Sequence, residues 1–267
     1  MKKEIASLFV LLLTSVSGWS MDESQMTEIK CSVKPIDRSK IHPKEAFGQA
    51  VSSNWSGYVS SSNFQQPVPG SVSYAAGDWI VPTLSSTPDD SYCAIWVGID
   101  GYSDGTVEQL GTSHNWISGA QQNYAWFEMY PNGSFEINGF PCDNGDEISV
   151  RIGYKGNDYF KMVMFNHTKG VFTTIPASYT TSSGTVRNSA EWVVEAPFSG
   201  SILPLSDFRV ATLNYCSAII NGVQGSISDP QWMNDSINME NTDGTVKAVT
   251  SDLSKNGNSF FVSWEHE

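Results

Sequence analysis

The sequence predicts an all-β protein, and three observations support this fold class. Gly (22), Trp (9), Tyr (10) and Phe (13) are plentiful, while charged residues make up only 16% of the 267 residues. Beyond the N-terminus, no stretch keeps apolar residues at helical spacing over the length of a typical helix. Short strand-like segments alternate with turn clusters throughout. This combination is typical of an antiparallel β-sandwich or a β-barrel.

Residues 1–20 have the features of a secretory signal peptide. Two lysines precede an apolar run from Ala6 to Leu13, and small residues follow it. The run is too short to span a bilayer, and no later segment qualifies. We therefore expect a secreted, extracellular protein with no membrane association after signal cleavage.

Residues 21–50 are expected to be a propeptide or a flexible N-terminal segment. The part from Lys30 to Lys44 holds five basic residues and two prolines and has no clear periodicity. A flexible linker has this composition. So does a removable propeptide whose cations lie against an acidic cleft, and composition alone does not separate the two.

Residues 51–267 are expected to form one domain, because no composition shift or internal repeat marks a boundary within them. From residue 49 onwards the chain carries 8 basic and 22 acidic residues. So acidic a body argues against nucleic acid and anionic membranes as partners. We expect a monomer.

The cysteines and histidines argue against a metal or another cofactor. The four cysteines include no C-x-x-C pair, and the four histidines are scattered. Three of the cysteines lie in the body, so at most one disulfide can form there. Stability is expected to come mainly from the apolar core.

Besides Thr106–Gly111, seven segments of the body are predicted to be strands, separated by turn signals such as Pro131–Gly133 and His167–Gly170. The spacing predicts antiparallel connections within one continuous sandwich. The predicted strands are Ala94–Asp100, Asn123–Tyr130, Ile148–Tyr154, Phe160–Asn166, Ala190–Ala196, Phe208–Tyr215 and Ser259–Trp264.

The strand Ala190–Ala196 carries two carboxylates on one face. Because side chains alternate along a strand, Glu191 and Glu195 point one way, while Trp192 and Val194 point the other. A solvated edge would give the same pattern. Three other strands also place polar side chains on a face opposite the core, which favours a shared cleft.

Those three strands place aromatic and polar side chains together on a face that is not the core. In Asn123–Tyr130 that face holds a carboxylate among aromatic rings, and Ala94–Asp100 and Thr106–Gly111 add a tryptophan, an aspartate and a glutamine. Aromatic walls with a few polar groups are typical of a binding cleft. The residues on this face are Trp96, Asp100, Gln109, Tyr124, Trp126, Glu128 and Tyr130.

The residue types in this cleft point to carboxylate chemistry. The sequence has no Gly-x-Ser-x-Gly elbow, no His-Glu-x-x-His and no phosphate-binding Gly loop. What remains is a carboxylate-activated water, or a pair of acids for glycoside cleavage with Glu128 and Glu195 as the pair. A glycoside hydrolase or lyase, and a carbohydrate- or peptide-binding module without activity, stay open at this point.

An ordered set of motifs resembles the glutamic peptidases, the eqolisin family. The resemblance covers residues 50–215. Each motif alone is unspecific, but the ordered set is strong. The motifs are Ser53–Gly57, Ile95–Gly101, Glu108–Gly111, Tyr124–Pro131 and Ala190–Glu195, with support from Phe165–Gly170 and Leu203–Phe208.

This resemblance implies a concanavalin- or lectin-like β-sandwich of two large curved antiparallel sheets, with an active-site groove on the concave face. It implies a secreted acid endopeptidase that pepstatin does not inhibit, made as a preproprotein, with proteins and peptides as substrates. The catalytic pair maps onto Gln109 and Glu195, and Glu191 becomes a neighbour that shapes the local charge. The groove residues map onto Trp55, Trp96, Asp100, Trp126, Glu128 and Tyr130.

Two features depart from the family pattern. Tyr124 stands where the family commonly has Asp, so the resemblance implies an altered specificity or pH optimum. The body cysteines, Cys93, Cys142 and Cys216, do not allow all the disulfides of the better-known fungal members. Neither departure removes a residue of the catalytic pair.

Overall fold

A computed structural model describes residues 23–36, 46–47, 51–178 and 184–267. These residues form nineteen strands and one short 3-10 helix, Glu23–Gln25. The all-β prediction is confirmed for this part of the chain. None of its helical structure is long and apolar enough to cross a membrane. The predicted signal peptide and much of the predicted propeptide lie outside the described residues.

The strands are numbered in chain order. They are β1 (Thr27–Glu28), β2 (Ser32–Pro35), β3 (Ala46–Phe47), β4 (Val51–Ser52), β5 (Trp55–Ser61), β6 (Val72–Ile80), β7 (Ser91–Ile99), β8 (Val107–Ile117), β9 (Ala120–Tyr130), β10 (Phe135–Asn138), β11 (Glu147–Tyr154), β12 (Tyr159–Asn166), β13 (Val171–Ser178), β14 (Ser189–Glu195), β15 (Val210–Ile220), β16 (Val223–Ser226), β17 (Met233–Glu240), β18 (Val246–Thr250) and β19 (Phe260–Trp264). All seven predicted strands are present, and the one predicted at Phe208–Tyr215 extends to Ile220 in β15.

The strand pairings fall into two groups that meet at β17. The first group is antiparallel throughout, in the order β2-β10-β9-β8-β7-β14-β5-β17. The second runs β1-β13-β12-β11-β6-β15-β19-β18-β17, with two parallel pairs, β1–β13 and β17–β4. The expected two sheets are therefore joined into one mixed network. The reason is that β17 pairs with β5 along its first half and with β4 and β18 along its second.

The main apolar core contains side chains from both groups of strands. Two buried tryptophans also join the groups by hydrogen bonds. Trp192 of β14 donates from Nε1 to the Ala76 carbonyl of β6 at 2.7 Å. Trp79 of β6 donates from Nε1 to Thr112 Oγ1 of β8 at 2.9 Å. Each ring buries a large apolar area and still satisfies its N–H group, which is the arrangement that a buried indole requires.

A second, smaller apolar cluster lies on the opposite face of the first group. It consists of Trp55, Val59, Ala94, Trp96, Val107, Trp126, Val193 and Ile237. Partly buried side chains pack against it, including Ile36, Phe64 and Tyr102. We call this side of the first group the second face. It carries the polar residues that were predicted from the sequence to line a cleft.

The described part of the N-terminal segment pairs with the body of the protein. Strand β1 lies parallel to β13, and β2 lies antiparallel to β10 at the edge of the first group. Glu23 forms an ion pair with Arg151 of β11, and Met26 is buried. Ile36 then packs against the apolar cluster of the second face. Residues 23–36 are therefore docked along the body at both groups of strands.

Candidate active site

Strand β14 lies between β5 and β7, and its register decides which residues surround its two carboxylates. Glu195 is opposite Trp55 on one side and Ala94 on the other, while Glu191 is opposite Val59 and Gly98. All of these side-chain positions belong to the second face. Trp192 and Val194 point instead into the main core, as the alternation along the strand predicted.

The carboxylate of Glu195 is held by two neighbouring side chains. Trp96 donates from Nε1 to Oε2 at 2.7 Å. Asn54 donates from Nδ2 to Oε1 at 3.4 Å. The residue is only 5% exposed. A short N–H donation to a carboxylate is a strong, directional bond that favours the ionised form. Glu195 is therefore oriented as well as buried.

Gln109 is oriented by a different carboxylate. It lies directly opposite Glu128 in the pairing of β8 with β9, and its Nε2 donates to Glu128 Oε2 at 2.6 Å. Because the amide nitrogen donates and the amide oxygen accepts, this contact requires the nitrogen end of the amide to face Glu128. The Gln109 Oε1 atom is buried and makes no hydrogen bond within the protein. Buried groups of this kind are rare and call for an explanation.

Gln109 and Glu195 share the second face but lie in different rows of it. Gln109 is opposite Gly98, and Gly98 is opposite Glu191. Glu195 lies four residues farther along β14. Two strand spacings and four residues of strand correspond to about 10 Å across the sheet and about 13 Å along it. The row between them holds Trp96.

Aromatic side chains surround these polar groups. Trp55 and Trp96 pack edge to face with ring centroids 5.0 Å apart. Trp126 is opposite Gly111 on β8, and its Nε1 is buried without a hydrogen-bond partner. Tyr130 packs at the margin of the cluster, where burial and, secondarily, the charge of Glu128 raise the pKa of its hydroxyl. The predicted aromatic residues thus lie together on one face.

Asp100 has a different environment from the other predicted groove residues. It is fully buried in a left-handed conformation, with φ 68°. Its Oδ1 accepts a bond from the Asn188 N–H at 2.7 Å, and its Oδ2 accepts bonds from Thr185 Oγ1 at 2.9 Å and from the Arg187 N–H. Burial, with the nearby charge of Asp104, raises the pKa of this carboxyl to about 6. Asp100 therefore fastens the segment that leads into β14.

Two polar residues of this region were not singled out from the sequence. Asn54 contacts Glu195, as described above. Glu108 is fully buried, and the single Thr185 hydroxyl lies 3.0 Å from Glu108 Oε2 and 2.9 Å from Asp100 Oδ2, within hydrogen-bond distance of both. Asn54 lies in a short turn, where no alternation of side chains predicts which way its side chain points. Glu108 alternates with Gln109 along β8, so its side chain takes the opposite face, where it lies close to Thr185 and Asp100.

The second face is more enclosed than the expected groove. All the predicted site residues are buried except Tyr130, which is partly exposed: Trp55, Trp96, Asp100, Gln109, Trp126, Glu128 and Glu195. The aromatic rings pack on one another, and Ile36, Phe64 and Tyr102 cover their margins. The alternation of side chains along a strand predicts which face each side chain lies on, but it does not predict which residues cover that face.

Two peptidases are related to this chain in sequence. Aspergillopepsin-2 from Aspergillus niger is 27% identical over 224 residues, which span 76% of this chain and 75% of that protein. Scytalidopepsin B from Scytalidium lignicola is 27% identical over 244 residues, which span 88% of each protein.

Solved structures show the same fold. Scytalido-glutamic peptidase with a transition state analog inhibitor superposes with a TM-score of 0.66 at 22% identity, over 80% of this chain and 98% of that one. Aspergilloglutamic peptidase from Aspergillus niger superposes with a TM-score of 0.58 at 27% identity, over 66% of this chain and 99% of that one. The sequence model of the Peptidase A4 family matches residues 53–264, which is most of the chain. The protein therefore belongs to the peptidase A4 family and is a glutamic-type (eqolisin) peptidase, as the ordered motifs predicted.

Proposed function

We propose that the protein is a secreted acid endopeptidase that cleaves peptide bonds in proteins by means of a water molecule activated by Glu195. The observation that carries this proposal is the orientation of two groups on one rigid face. Trp96 holds the Glu195 carboxylate at 2.7 Å, and Glu128 holds the Gln109 amide at 2.6 Å. Groups held in advance on a sheet lose little free energy to reorganisation during the reaction.

In the first step, Glu195 takes a proton from the water as its oxygen attacks the scissile carbonyl carbon. A glutamic acid has an ordinary pKa of about 4.3, so a fraction is ionised even in mildly acidic solution. The N–H bond from Trp96 favours that ionised form. The proton then resides on Glu195, and negative charge develops on the carbonyl oxygen.

Gln109 stabilises this oxyanion, which requires the scissile carbonyl to lie over the row of Trp96, between Glu195 and Gln109. Its Nε2 carries two hydrogens, and only one of them is used in the bond to Glu128. The second is free to donate to the oxyanion, and an amide keeps this capacity at every pH. Removing one such donor typically costs about 10²–10³ in rate. In the second step, Glu195 returns its proton to the leaving amine as the C–N bond breaks.

Two buried groups without partners support binding of a peptide main chain at this face. Gln109 Oε1 is an acceptor and Trp126 Nε1 is a donor. A peptide group carries one N–H and one C=O, so it complements such a pair. An unmade hydrogen bond at a buried group costs about 1–3 kcal/mol, which a substrate would recover on binding.

Activation requires that the second face be opened. We assign residues 1–20 to a signal peptide and residues 21–50 to a propeptide, and removal of Ile36 would uncover part of the apolar cluster that it contacts. The remaining chain would be a β-sandwich with a concave groove along β14, β7, β8 and β9. The shared core between the two groups of strands supports this arrangement.

The proposal is tested by digestion of casein or denatured globin at pH 3–4 after incubation of the full chain in acid. We expect cleavage that pepstatin does not prevent and that Glu195→Gln abolishes. Glu265→Gln, at an exposed position, is the matched control and should cleave as the wild type does. Equal cleavage by Glu195→Gln would refute the mechanism. Release of reducing sugar from polysaccharides without peptide cleavage would favour the glycoside hydrolase instead.

A further inference from the structure

The Trp96 indole lies against the main chain of its own strand at Gly98. A Cβ atom at position 98 would lie 2.7 Å from Cζ3 and 3.2 Å from Cε3 of the Trp96 ring. Real Cβ atoms essentially never come closer than about 3 Å to another heavy atom, because repulsion rises steeply at that distance. The ring therefore occupies the space that any other residue at position 98 would need for its side chain.

Both ends of this ring are engaged. The benzene part lies over Gly98, and the pyrrole Nε1 donates to Glu195. Trp55 packs edge to face against the same ring. A ring pushed away from Gly98 would thus turn its N–H away from the carboxylate or displace Trp55. Gly98 lies in the row of Gln109, opposite both Glu191 and Gln109, so the indole extends from the row of Trp96 into the row of Gln109.

The glycine at position 98 is not explained by its backbone conformation. No left-handed φ is present there, so an alanine could adopt the same backbone. Gly111, on the neighbouring strand, differs in its contacts. A Cβ at position 111 would lie 2.4 Å from the Ile95 carbonyl oxygen and 2.5 Å from Trp96 Cβ. Position 111 is restricted by main-chain pairing, whereas position 98 is restricted chiefly by the far end of one side chain.

We propose that Gly98 is a positioning residue for the base: its missing side chain leaves the space in which the Trp96 indole lies, and so aligns the indole N–H with Glu195. The inference rests on the proposed function for the role of Glu195. Its structural part, the dependence of the Trp96–Glu195 bond on Gly98, stands without it.

The first test is Gly98→Ala, with the pH profile of kcat/KM on a quenched peptide as the readout. Losing a hydrogen bond to a charged group typically corresponds to about tenfold or more in an equilibrium. We expect kcat to fall by about tenfold with KM changed by less than about threefold, and the acidic limb of the profile to move up by about one pH unit. The shift follows because loss of the N–H donor favours the protonated carboxyl.

Gly153→Ala is the matched control. Gly153 is a buried strand glycine on β11, with no left-handed φ, where a Cβ would meet nothing closer than 3.5 Å. It should leave both kcat and the acidic limb unchanged. A general loss of stability in Gly98→Ala would lower the amount of active protein but would not move the limb.

A double-mutant cycle tests whether Gly98 affects Glu195 through the Trp96 indole. Phe at position 96 lacks both the N–H and the fused ring, so Gly98→Ala should have little further effect in a Trp96→Phe background. Additive losses in kcat, or an unmoved acidic limb in Gly98→Ala, would overturn the inference.

The NMR resonance of the Trp96 indole N–H tests the positioning role of Gly98 independently of the proposed peptidase function. The resonance is assigned as the one that is lost in Trp96→Phe. In the Glu195→Gln background, we expect Gly98→Ala to shift this resonance and Gly153→Ala to leave it in place. An unshifted resonance refutes the positioning role. A wild-type protein that cleaves no peptide, but whose resonance shifts as expected, refutes only the proposed function.

Discussion

Folding should become more favourable as the pH falls from about 8 to about 4. Burial favours the neutral forms of the Asp78 and Asp100 carboxyl groups in particular. Burial is the largest cause that raises the pKa of Asp78 from 3.8 to about 7 and the pKa of Asp100 from 3.8 to about 6. A raised pKa means that the folded state binds the proton more tightly than the unfolded chain does. The stabilising contribution is complete below 3.8 and is lost as the pH rises through the folded-state values.

His114 acts in the opposite direction. It is fully buried on the core side of β8, between Thr112 Oγ1 at 2.9 Å and Asn123 Oδ1 at 3.0 Å. Burial lowers the pKa of its imidazole from 6.5 to about 4. The folded state therefore prefers the neutral ring. This contribution is complete above 6.5 and is lost as the pH falls towards 4.

The three groups give a net gain in acid. At about 1.4 kcal/mol for each unit of pKa difference, Asp78 contributes about 4 kcal/mol, Asp100 about 3 kcal/mol, and His114 about 3 kcal/mol with the opposite sign. These three groups alone should make the free energy of unfolding larger by roughly 4 kcal/mol at pH 4 than at pH 8. Glu147, whose pKa burial raises, adds in the same direction, and His167, whose pKa burial lowers, opposes it.

Urea unfolding of the Glu195→Gln protein at a series of pH values measures this gain without self-digestion. Asp78→Asn should remove nearly all of it, because the amide does not titrate and the contributions of Asp100 and His114 cancel. Asp252→Asn, at an exposed position, should leave the slope unchanged. A free energy of unfolding that is flat or falls between pH 8 and pH 4 would refute the reasoning, as would an unchanged slope in Asp78→Asn.

Three further substitutions test individual contacts. Glu128→Gln replaces the carboxyl group that accepts from the Gln109 amide by a second amide. We expect kcat on a peptide substrate to fall about tenfold with little change in KM. An unchanged kcat would argue against orientation of Gln109 by Glu128. Trp126→Phe removes the unpaired indole N–H. Because this N–H is proposed to donate to the substrate, KM should rise about fivefold or more. An unaltered KM would exclude this donor from substrate binding. Gly57→Ala should lower the free energy of unfolding by about 3 kcal/mol or more, because φ is +151° and a Cβ would lie 2.0 Å from the Trp192 carbonyl oxygen; Gly105→Ala, where a Cβ meets nothing within 4 Å, should unfold as the wild type does.

The fold class could be predicted from the sequence because its signals are local. Alternation along β14 and β9 assigned each side chain to a face, and the turn clusters marked the ends of strands. The resemblance to glutamic peptidases then supplied the pairing of distant motifs. The register, which places Gln109 opposite Gly98 and Glu128, has no local signature of this kind, because it depends on how three strands slide against one another.

The environment of single residues was less predictable. Asp100 was expected beside the groove, but its shorter hydrogen bonds come from Thr185, Arg187 and Asn188, which are more than eighty positions away and carry no motif. The junction of the two groups at β17 was missed for a similar reason: a strand that changes partners midway shows no change in its alternation. Composition also left the N-terminal segment open, whereas the described residues 23–36 dock on β10 and β13.

The central claim is that Glu195 and Gln109 form one catalytic unit on the second face. Steady-state kinetics at pH 4 with one peptide substrate, comparing Gln109→Ala, Glu195→Gln and the double variant, tests it most directly. The account predicts a fall in kcat of about 10²–10³ for Gln109→Ala, a larger fall for Glu195→Gln, and a double variant little worse than Glu195→Gln alone. A Glu195→Gln enzyme within tenfold of the wild type, or a Gln109→Ala enzyme with unchanged kcat, would contradict it.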